Sequence, residues 1–285
     1  MVRTIGNPLS WAAQGLSNAG HAVGDATSAL GSEVIEPPEV RQITRDDLRA
    51  ALRKGYADFA RFRSDVMFLV LIYPVIGICL AVLAFHQALL PMLFPLGAGF
   101  LLLGPIAAIG LYEMSRQGEQ REDVGWTAAL SVLRARNIGP VFVMGVYLLG
   151  LFLLWMLAAV LIYNWTLGPG APASATDFAI EVLTTGPGWL MVGLGMGVGF
   201  VFAALVLVAS LTTLPMLIDQ RVGLPVAVMT SVAVMRRNPA TVATWGLIVA
   251  TLMLLGTLPF FLGLIVVLPV LGHATWYLYR AAVPR

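Results

Sequence analysis

The chain of 285 residues is 59% hydrophobic and only 11% charged, and its formal net charge is +2. Soluble globular domains are about 45–50% apolar and about 25% charged, so this composition excludes an ordinary water-soluble domain. The single cysteine, Cys79, also excludes an intramolecular disulfide and a metal site built from several cysteines.

Long apolar runs recur along the chain. A hydrocarbon layer of about 30 Å is crossed by about 20 helical residues. The runs are continuous rather than alternating, which excludes a transmembrane β-barrel. We therefore predict an all-α fold, a polytopic helical membrane bundle of about six transmembrane helices with amphipathic interfacial helices on the cytoplasmic side. The predicted spans are 66–90, 92–114, 138–163, 188–218, 239–258 and 259–279.

The first predicted segment, residues 1–40, is an N-terminal tail that lacks the basic start and compact apolar core of a cleaved signal peptide. Its apolar residues recur at alternating steps of three and four, which is typical of a weak amphipathic helix. Gly15, Gly20 and Gly24 oppose this structure, because each costs about 1 kcal/mol relative to alanine in a helix. A docked peripheral helix and a disordered tail therefore both stay open.

Residues 41–65 are predicted to form a basic amphipathic interfacial helix. Thr44 and Asp47 have the spacing of a capping box, which indicates the start of a helix. Apolar side chains then fall on one helical face, and basic side chains cover much of the remainder. The apolar face consists of Leu48, Leu52, Tyr56, Phe59 and Phe62. This pattern favours a helix in the headgroup layer of an anionic leaflet, and the alternative is a solvated helix packed on cytoplasmic loops.

The placement of charges orients the predicted membrane domain, residues 66–280. All 17 lysines and arginines lie before the first span, between spans two and three, between spans four and five, or at the C-terminal end. The longest opposite loop, residues 164–187, carries only Asp177 and Glu181. By the positive-inside rule we predict a multi-pass protein of a bacterial inner (cytoplasmic) membrane. Both termini, including the short C-terminal tail 281–285, then lie in the cytoplasm.

The fourth predicted span contains Gly193, Gly195, Gly197 and Gly199, which form two small-xxx-small pairs. Such pairs allow another helix backbone to approach closely, so we predict a helix-packing surface here rather than a ligand path. Prolines interrupt several spans as well. Broken helices line sites in transporters, but proline is also common in membrane helices generally.

The candidate functional polar residues are Glu113, Arg116 and His273, because ionisable groups in hydrocarbon are costly. We expect Glu113 to pair with Arg116 or with a basic group of a neighbouring loop, and proton or cation handling is the alternative. We expect His273 to hydrogen-bond to another span, and cofactor ligation is the alternative. His86 lies about 20 Å away in depth, so the two rings cannot share one haem.

The chain carries no H-E-x-x-H, C-x-x-C, nucleophile-elbow or phosphate-loop motif. No catalytic, cofactor-binding or metal-binding residues are therefore predicted, and no cofactor is expected. The shortage of acids and bases in the predicted spans supports this prediction more strongly than the absence of motifs does, because proton or hydrolytic chemistry requires such groups.

Four strings of the sequence resemble those of a known family. They are DVMFLVLIYPVIG at 65–77, GPIAAIGLYEMSR at 104–116, NPATVATWGLIVA at 238–250 and FLGLIVVLPVLGHATWYLYR at 261–280. The chain resembles, from Val40 to Arg280, the bacterial membrane-protein family catalogued as domain of unknown function twenty-one eighty-nine. The resemblance implies a multi-span membrane architecture and no particular activity.

The leading functional hypothesis is a non-enzymatic accessory or scaffolding component of a membrane complex. A transporter or channel for a small apolar or weakly polar solute is the alternative. The expected partners are the lipid bilayer, anionic lipid headgroups bound by the basic cytoplasmic helices, and either a membrane-protein partner or a second copy of the chain. No nucleic acid is expected as a partner.

Overall fold

The computed structural model describes residues 38–84, 87–121, 124–134 and 138–284, so nearly all of the predicted tail 1–40 lies outside the described residues. The regular structure of the described residues is entirely helical. The α-helices are α1 (Arg45–Val70), α2 (Ile72–Ala84), α3 (Leu93–Leu102), α4 (Gly104–Ala107), α5 (Ile109–Gly118), α6 (Thr127–Leu130), α7 (Ile138–Thr166), α8 (Ala175–Thr184), α9 (Gly186–Ser210), α10 (Thr213–Asp219), α11 (Leu224–Arg237), α12 (Pro239–Thr257) and α13 (Leu264–Ala282). Two 3₁₀ helices occupy Gln87–Met92 and Ser131–Arg134. The all-α prediction is confirmed for these residues.

Four helical stretches among the described residues are long and apolar enough to cross a bilayer: α7, α9 continued through α10, α12, and α13. They coincide with the third to sixth predicted spans. The first two predicted spans, 66–90 and 92–114, are divided into shorter helices instead. Pro91 lies in the first 3₁₀ helix and Pro105 lies in the first turn of α4. Proline has no backbone N–H and clashes with the preceding turn, so helices are interrupted at such positions.

Helix α1 begins where the capping box predicted and continues beyond the predicted boundary at residue 65. The Thr44 side chain accepts a hydrogen bond from the backbone N–H of Asp47, and the Asp47 carboxylate accepts one from the backbone N–H of Thr44. The helix ends at Val70, and the Leu71 N–H still donates to the Met67 carbonyl. The interfacial segment and the start of the first predicted span are therefore one helix.

Helix α1 packs antiparallel along α13. Near the start of this contact the Arg41 N–H donates to the Ala282 carbonyl at 2.8 Å. Gly55 permits the close approach, because a Cβ there would lie 2.6 Å from both the Ala274 nitrogen and the Val270 carbonyl oxygen. Three of the five predicted apolar-face residues, Leu48, Phe59 and Phe62, are buried, whereas Tyr56 is 61% exposed. Protein covers most of this face, and contact of the basic remainder with headgroups stays a prediction.

Trp155 joins three of the membrane helices. Its side chain on α7 is buried, and its indole N–H donates to the Pro95 carbonyl of α3 at 2.9 Å. On α9, Gly199 leaves room for the Trp155 ring, and the centroid of the Phe202 ring lies 5.9 Å from that of Trp155. A large aromatic side chain with one polar group thus fixes both the packing and the register of α3, α7 and α9.

Asn238, at the corner between α11 and α12, fixes the segment that leads into α1. Its Oδ1 accepts the Ile43 N–H at 2.8 Å, and its Nδ2 donates to the Arg41 carbonyl at 3.1 Å. The Thr241 hydroxyl donates to the Ile43 carbonyl at 3.0 Å. The segment before α1 is irregular, so its backbone N–H and C=O groups make no hydrogen bonds within a helix. The side chains of Asn238 and Thr241 provide hydrogen bonds for them instead.

Candidate functional site

The C-terminal half of α13 carries polar side chains that contact α1, α5 and α10. Half of the apolar window of α13 is buried, the largest share among the four candidate spans of the described residues. Gly272 allows α5 to approach, since a Cβ there would lie 2.6 Å from the Leu111 Cδ1. The polar side chains that follow are His273, Trp276, Tyr277, Tyr279 and Arg280. They lie in the string that carried part of the family resemblance.

The first cluster joins α1, α5 and α13 through Asp58, Ser115 and His273. The Ser115 hydroxyl donates to Asp58 Oδ2 at 2.7 Å, and Ser115 Oγ lies 2.7 Å from His273 Nδ1. The Tyr277 hydroxyl donates to the same Asp58 oxygen at 2.9 Å. The imidazole is fully buried, and its Nε2 has no hydrogen-bond partner among the described residues. The cluster is thus a chain of three polar groups with a carboxylate at one end.

Burial and hydrogen bonding act against each other at Asp58. Removal of the carboxyl from water raises its pKa above 3.8, its ordinary value, and this is the largest effect. Hydrogen bonds from Ser115 and Tyr277 and the charge of Arg61 oppose the rise, and the charge of Glu119 adds to it. His273 Nδ1 lies 3.9 Å from Asp58 Oδ2.

The second cluster surrounds Glu113 on α5. Arg116 donates to both carboxylate oxygens, from Nε at 2.8 Å and from Nη2 at 2.7 Å. Gln117 Nε2 donates to Glu113 Oε1 at 2.7 Å, and the Ser131 hydroxyl lies 3.2 Å from the same oxygen. The ion pair predicted between Glu113 and Arg116 is therefore present. The bidentate geometry also fixes the orientation of both side chains.

The third cluster joins the C-terminal end of α13 to α5 and α10. Arg280 Nε lies 3.6 Å from Glu119 Oε2, and Nη1 lies 3.5 Å from Asp219 Oδ2. The Tyr279 hydroxyl donates to Asp219 at 3.0 Å, and the Trp276 indole N–H donates to Glu119 at 3.0 Å. Each carboxylate thus accepts a hydrogen bond from a neutral donor and lies near the Arg280 guanidinium.

The structure places the predicted polar residues in two different clusters. No hydrogen bond or ion pair joins Glu113 to His273 among the described residues. Positions two apart on a helix point to different sides, so Glu113 faces Ser131 and Ser115 faces His273. His273 hydrogen-bonds to α5, at the residue that directly follows the end of the second predicted span. Its partner is Ser115.

Sequence reasoning missed Asp58, Ser115 and Tyr277. Asp58 lies in the segment 41–65, which the sequence analysis interprets as an interfacial helix. An acidic residue among basic ones in such a helix is typical of its solvated face, so Asp58 was not expected to be buried. One usable signal was present: His273 and Tyr277 are four residues apart and therefore share a face of the last span. Two polar groups on one face of a membrane helix indicate a polar partner on a neighbouring helix.

The four predicted packing glycines behave differently from one another. A Cβ on Gly199 would meet the Trp155 ring at 3.0 Å, so this glycine does pack against a helix of the same chain. A Cβ on Gly193, Gly195 or Gly197 would meet nothing within 4 Å. Their surface has no partner helix among the described residues.

The chemistry open to the first cluster is proton transfer between oxygen and nitrogen. No group of three or more His, Cys, Asp or Glu side chains that could hold a metal ion occurs in the described ranges. Ser115 lies at hydrogen-bond distance from both Asp58 and His273, whereas Asp58 Oδ2 and His273 Nδ1 are 3.9 Å apart.

Comparison with known protein families gives one match. Residues 92–219 match the family model described as "Predicted integral membrane protein (DUF2189)". The resemblance found in the sequence is confirmed for this segment, and the protein is a multi-pass integral membrane protein. The DUF2189 segment runs from the start of α3 to the end of α10, so it includes Ser115 but not Asp58 or His273. No curated protein and no solved structure matches the chain.

Proposed function

We propose that the protein is a non-enzymatic accessory or scaffolding component of a membrane complex, and that α9 provides its contact surface. The observation that carries this proposal is the open glycine face of α9. Only 6% of the apolar window of the α9–α10 stretch is buried inside the protein, the smallest share among the four candidate spans. A long helix with so little internal packing has most of its surface available to lipid or to another helix.

The open face has the features of a helix–helix contact. Gly193 and Gly197 are both exposed and lie one helical turn apart. Trp189, Met196 and Phe200 are exposed beside them, so the glycines form the floor of a shallow groove between large side chains. In lipid, helices associate through close backbone approach and van der Waals contact, which such a groove provides.

The packing of Glu113 supports a structural role for the polar residues of α5. Its carboxylate accepts hydrogen bonds from Arg116, Gln117 and Ser131. A general acid or base must be able to reach a substrate proton, and this carboxylate is already fully engaged by neighbouring donors.

The proposed setting is a bacterial inner membrane, crossed six times, with both termini in the cytoplasm. The segmented helices at 66–90 and 92–114 supply the first two crossings in this arrangement. Exposed basic residues would then lie near the anionic headgroups of the cytoplasmic leaflet, which attract them by about 1 kcal/mol per residue. They include Arg45, Arg53, Arg236 and Arg237.

The test is the assembly state of the double variant G193I/G197I. We expect the wild-type protein, extracted in mild detergent, to run as an oligomer or with a membrane-protein partner, and the variant to run alone. The matched control is G150I on α7, where a Cβ likewise meets nothing within 4 Å. A wild-type protein that is monomeric and copurifies with nothing, or a variant that assembles like wild type, would contradict the proposal.

One observation favours the alternative, a transporter or channel for a small apolar or weakly polar solute. Helices α3, α4 and α5 divide the second predicted span into three pieces, and broken helices line substrate sites in transporters. Reconstituted protein should then carry a solute across proteoliposomes, and replacement of Glu113 and His273 should change the flux. Absence of flux for every solute tested would count against this alternative.

A further inference from the structure

Helix α8 connects the C-terminal end of α7 to the N-terminal end of α9, and the proposed scaffolding function does not use it. The helix is capped at its start, where Ser174 Oγ accepts a hydrogen bond from the Asp177 N–H at 3.0 Å. None of its 10 residues is buried inside the protein. A helix of this length is marginal in water by itself, so the surfaces beside it must stabilise it.

One side of α8 packs on its own chain. Phe178 and Val182 are four residues apart, so they share a side, and both are half-buried. The Phe178 ring meets the Tyr163 ring of α7 edge-on, with the ring centroids 6.3 Å apart. Gly188 allows the start of α9 to approach α8, since a Cβ there would lie 2.6 Å from the Val182 Cα. These contacts fix the rotation of α8 about its own axis.

This rotation leaves two other sides of α8 uncovered by the described residues. Ile180 and Leu183, three residues apart, are 55% and 61% exposed. Asp177 and Glu181, four residues apart, are also exposed. At about 100° per residue, the apolar pair and the acidic pair point about 110° apart. Helix α8 therefore has one side that contacts the protein, one whose chemistry favours an apolar medium and one whose chemistry favours water.

The corner between α8 and α9 is closed by hydrogen bonds from side chains. Thr185 is the single residue between the two helices, and its backbone is extended. Its hydroxyl donates to the Glu181 carbonyl at 2.7 Å and accepts the Gly188 N–H at 3.1 Å. The Trp189 indole N–H donates to the Leu183 carbonyl at 3.0 Å. Carbonyls at the end of a helix usually depend on water, and here side chains satisfy two of them, as a site in contact with lipid requires.

The surface next to α8 indicates that lipid covers its apolar side. The protein is an integral membrane protein, and exposed apolar residues continue along both neighbouring helices, with Leu161 on α7 and Leu190 on α9. Trp165 near the end of α7 and Trp189 near the start of α9 are exposed as well. Tryptophan is enriched where hydrocarbon meets the headgroups, because its ring is apolar and its N–H is polar. The two tryptophans mark this level on the two helices that α8 connects.

We propose that α8 is an interfacial helix in the leaflet at the C-terminal end of α7, with Ile180 and Leu183 among the lipid acyl chains and Asp177 and Glu181 in water. The partner of the apolar side is the bilayer itself rather than a second protein. Residues 164–187 include no Lys or Arg, so burial of apolar surface, and not attraction to anionic headgroups, holds α8 in place. The sequence predicts interfacial helices only at the basic side of the membrane, whereas this helix lies at the opposite end of the spans. The inference does not depend on the scaffolding function.

The test is electron paramagnetic resonance of spin labels on α8, in nanodiscs of zwitterionic phosphatidylcholine. Single labels are attached to I180C, L183C, D177C and E181C in a C79S background, since Cys79 is the only native cysteine. Oxygen concentrates in hydrocarbon, whereas a neutral nickel chelate stays in water. We expect the ratio of oxygen collisions to nickel collisions to be high at I180C and L183C and low at D177C and E181C.

D177C and E181C are the matched controls, because they are equally open positions on the same helix and differ only in the side they occupy. A low ratio at all four positions would place α8 in water, and a high ratio at all four would submerge it, so either result would overturn the proposal. Protection of I180C and L183C from both reagents would show that a protein covers this side, which would also overturn it. All four positions are exposed, and thermal unfolding of each labelled variant checks that the fold is retained.

Discussion

Asp58 and Glu113 are both buried acids, and of these two only Glu113 forms an ion pair with a guanidinium in the described part of the chain. The Glu113 carboxylate is paired in a bidentate arrangement, whereas Asp58 is stabilised by two neutral hydroxyl donors. Neutral donors contribute less to an ionised carboxylate than a guanidinium does. The two hydroxyl donors therefore do not cancel the rise in the pKa of Asp58 that burial causes.

The stability of the protein should fall as pH rises through the titration of Asp58. Its pKa in the folded protein is raised above 3.8, the ordinary value, so the folded state holds this proton more tightly than the unfolded state. The contribution of this proton to the free energy of unfolding is complete below pH 3.8. It is lost as the pH rises through the pKa that Asp58 has in the folded protein. The pH dependence of this contribution is measured by thermal unfolding of wild type and D58N in detergent from pH 4 upward.

In D58N this pH-dependent decline should be absent, and the Tm difference, wild type minus D58N, should decrease with pH. D46N is a suitable control because Asp46 is exposed on the same helix. Parallel pH profiles for wild type and D58N would contradict the assignment of a raised pKa to Asp58.

Residue-scale prediction from the sequence succeeded where the interaction is local. The Thr44–Asp47 capping box and the Glu113–Arg116 pair each join positions three apart on one helix, so spacing alone predicts them. The Asp58–Ser115–His273 line joins three helices that are distant in the chain. No spacing rule contains that information, because it depends on which helix faces pack together.

At the scale of elements, the close contact between α1 and α13 depends on Gly55. A Cβ at this position would lie 2.6 Å from backbone atoms of Val270 and Ala274, which cannot move away as a flexible side chain could. G55A should therefore separate the two helices and destabilise the protein by about 1–3 kcal/mol, the usual cost of overpacking. This cost outweighs the gain of about 1 kcal/mol in helix propensity.

The control for G55A is G97A on α3, where a Cβ meets nothing within 4 Å. G97A raises helix propensity as G55A does, but without a clash. The fraction of denaturing detergent at its unfolding midpoint should therefore be unchanged or slightly higher than in wild type. The two variants and the wild type are compared by titration with a denaturing detergent. Equal stability of G55A and G97A would show that α1 and α13 are not held at this distance.

The sequence predicted the helices that consist of one long apolar run. Helices α7 and α12 lie within a few residues of the predicted spans 138–163 and 239–258. The segments with several prolines were predicted less well, because hydropathy averages over a window and does not register a break. The extension of α1 past residue 65 was also missed, since a change from a polar to an apolar sequence does not by itself end a helix.

At the scale of the whole molecule, the polar clusters and the loop that includes α8 lie at opposite ends of α7. This helix has 29 residues and is therefore about 44 Å long at 1.5 Å per residue, more than a hydrocarbon layer of about 30 Å. The clusters contain Arg116 and Arg280, whereas the loop that includes α8 carries only acidic charges. The positive-inside rule then predicts that the clusters face the cytoplasm.

Cysteine labelling in spheroplasts tests this orientation. In a C79S background, A171C lies in the loop before α8 and Q120C lies just after α5, and both positions are exposed. A membrane-impermeant maleimide should label A171C in intact spheroplasts and Q120C only after permeabilisation, because the basic end of α7 faces inward. Labelling of Q120C in intact spheroplasts would reverse the orientation.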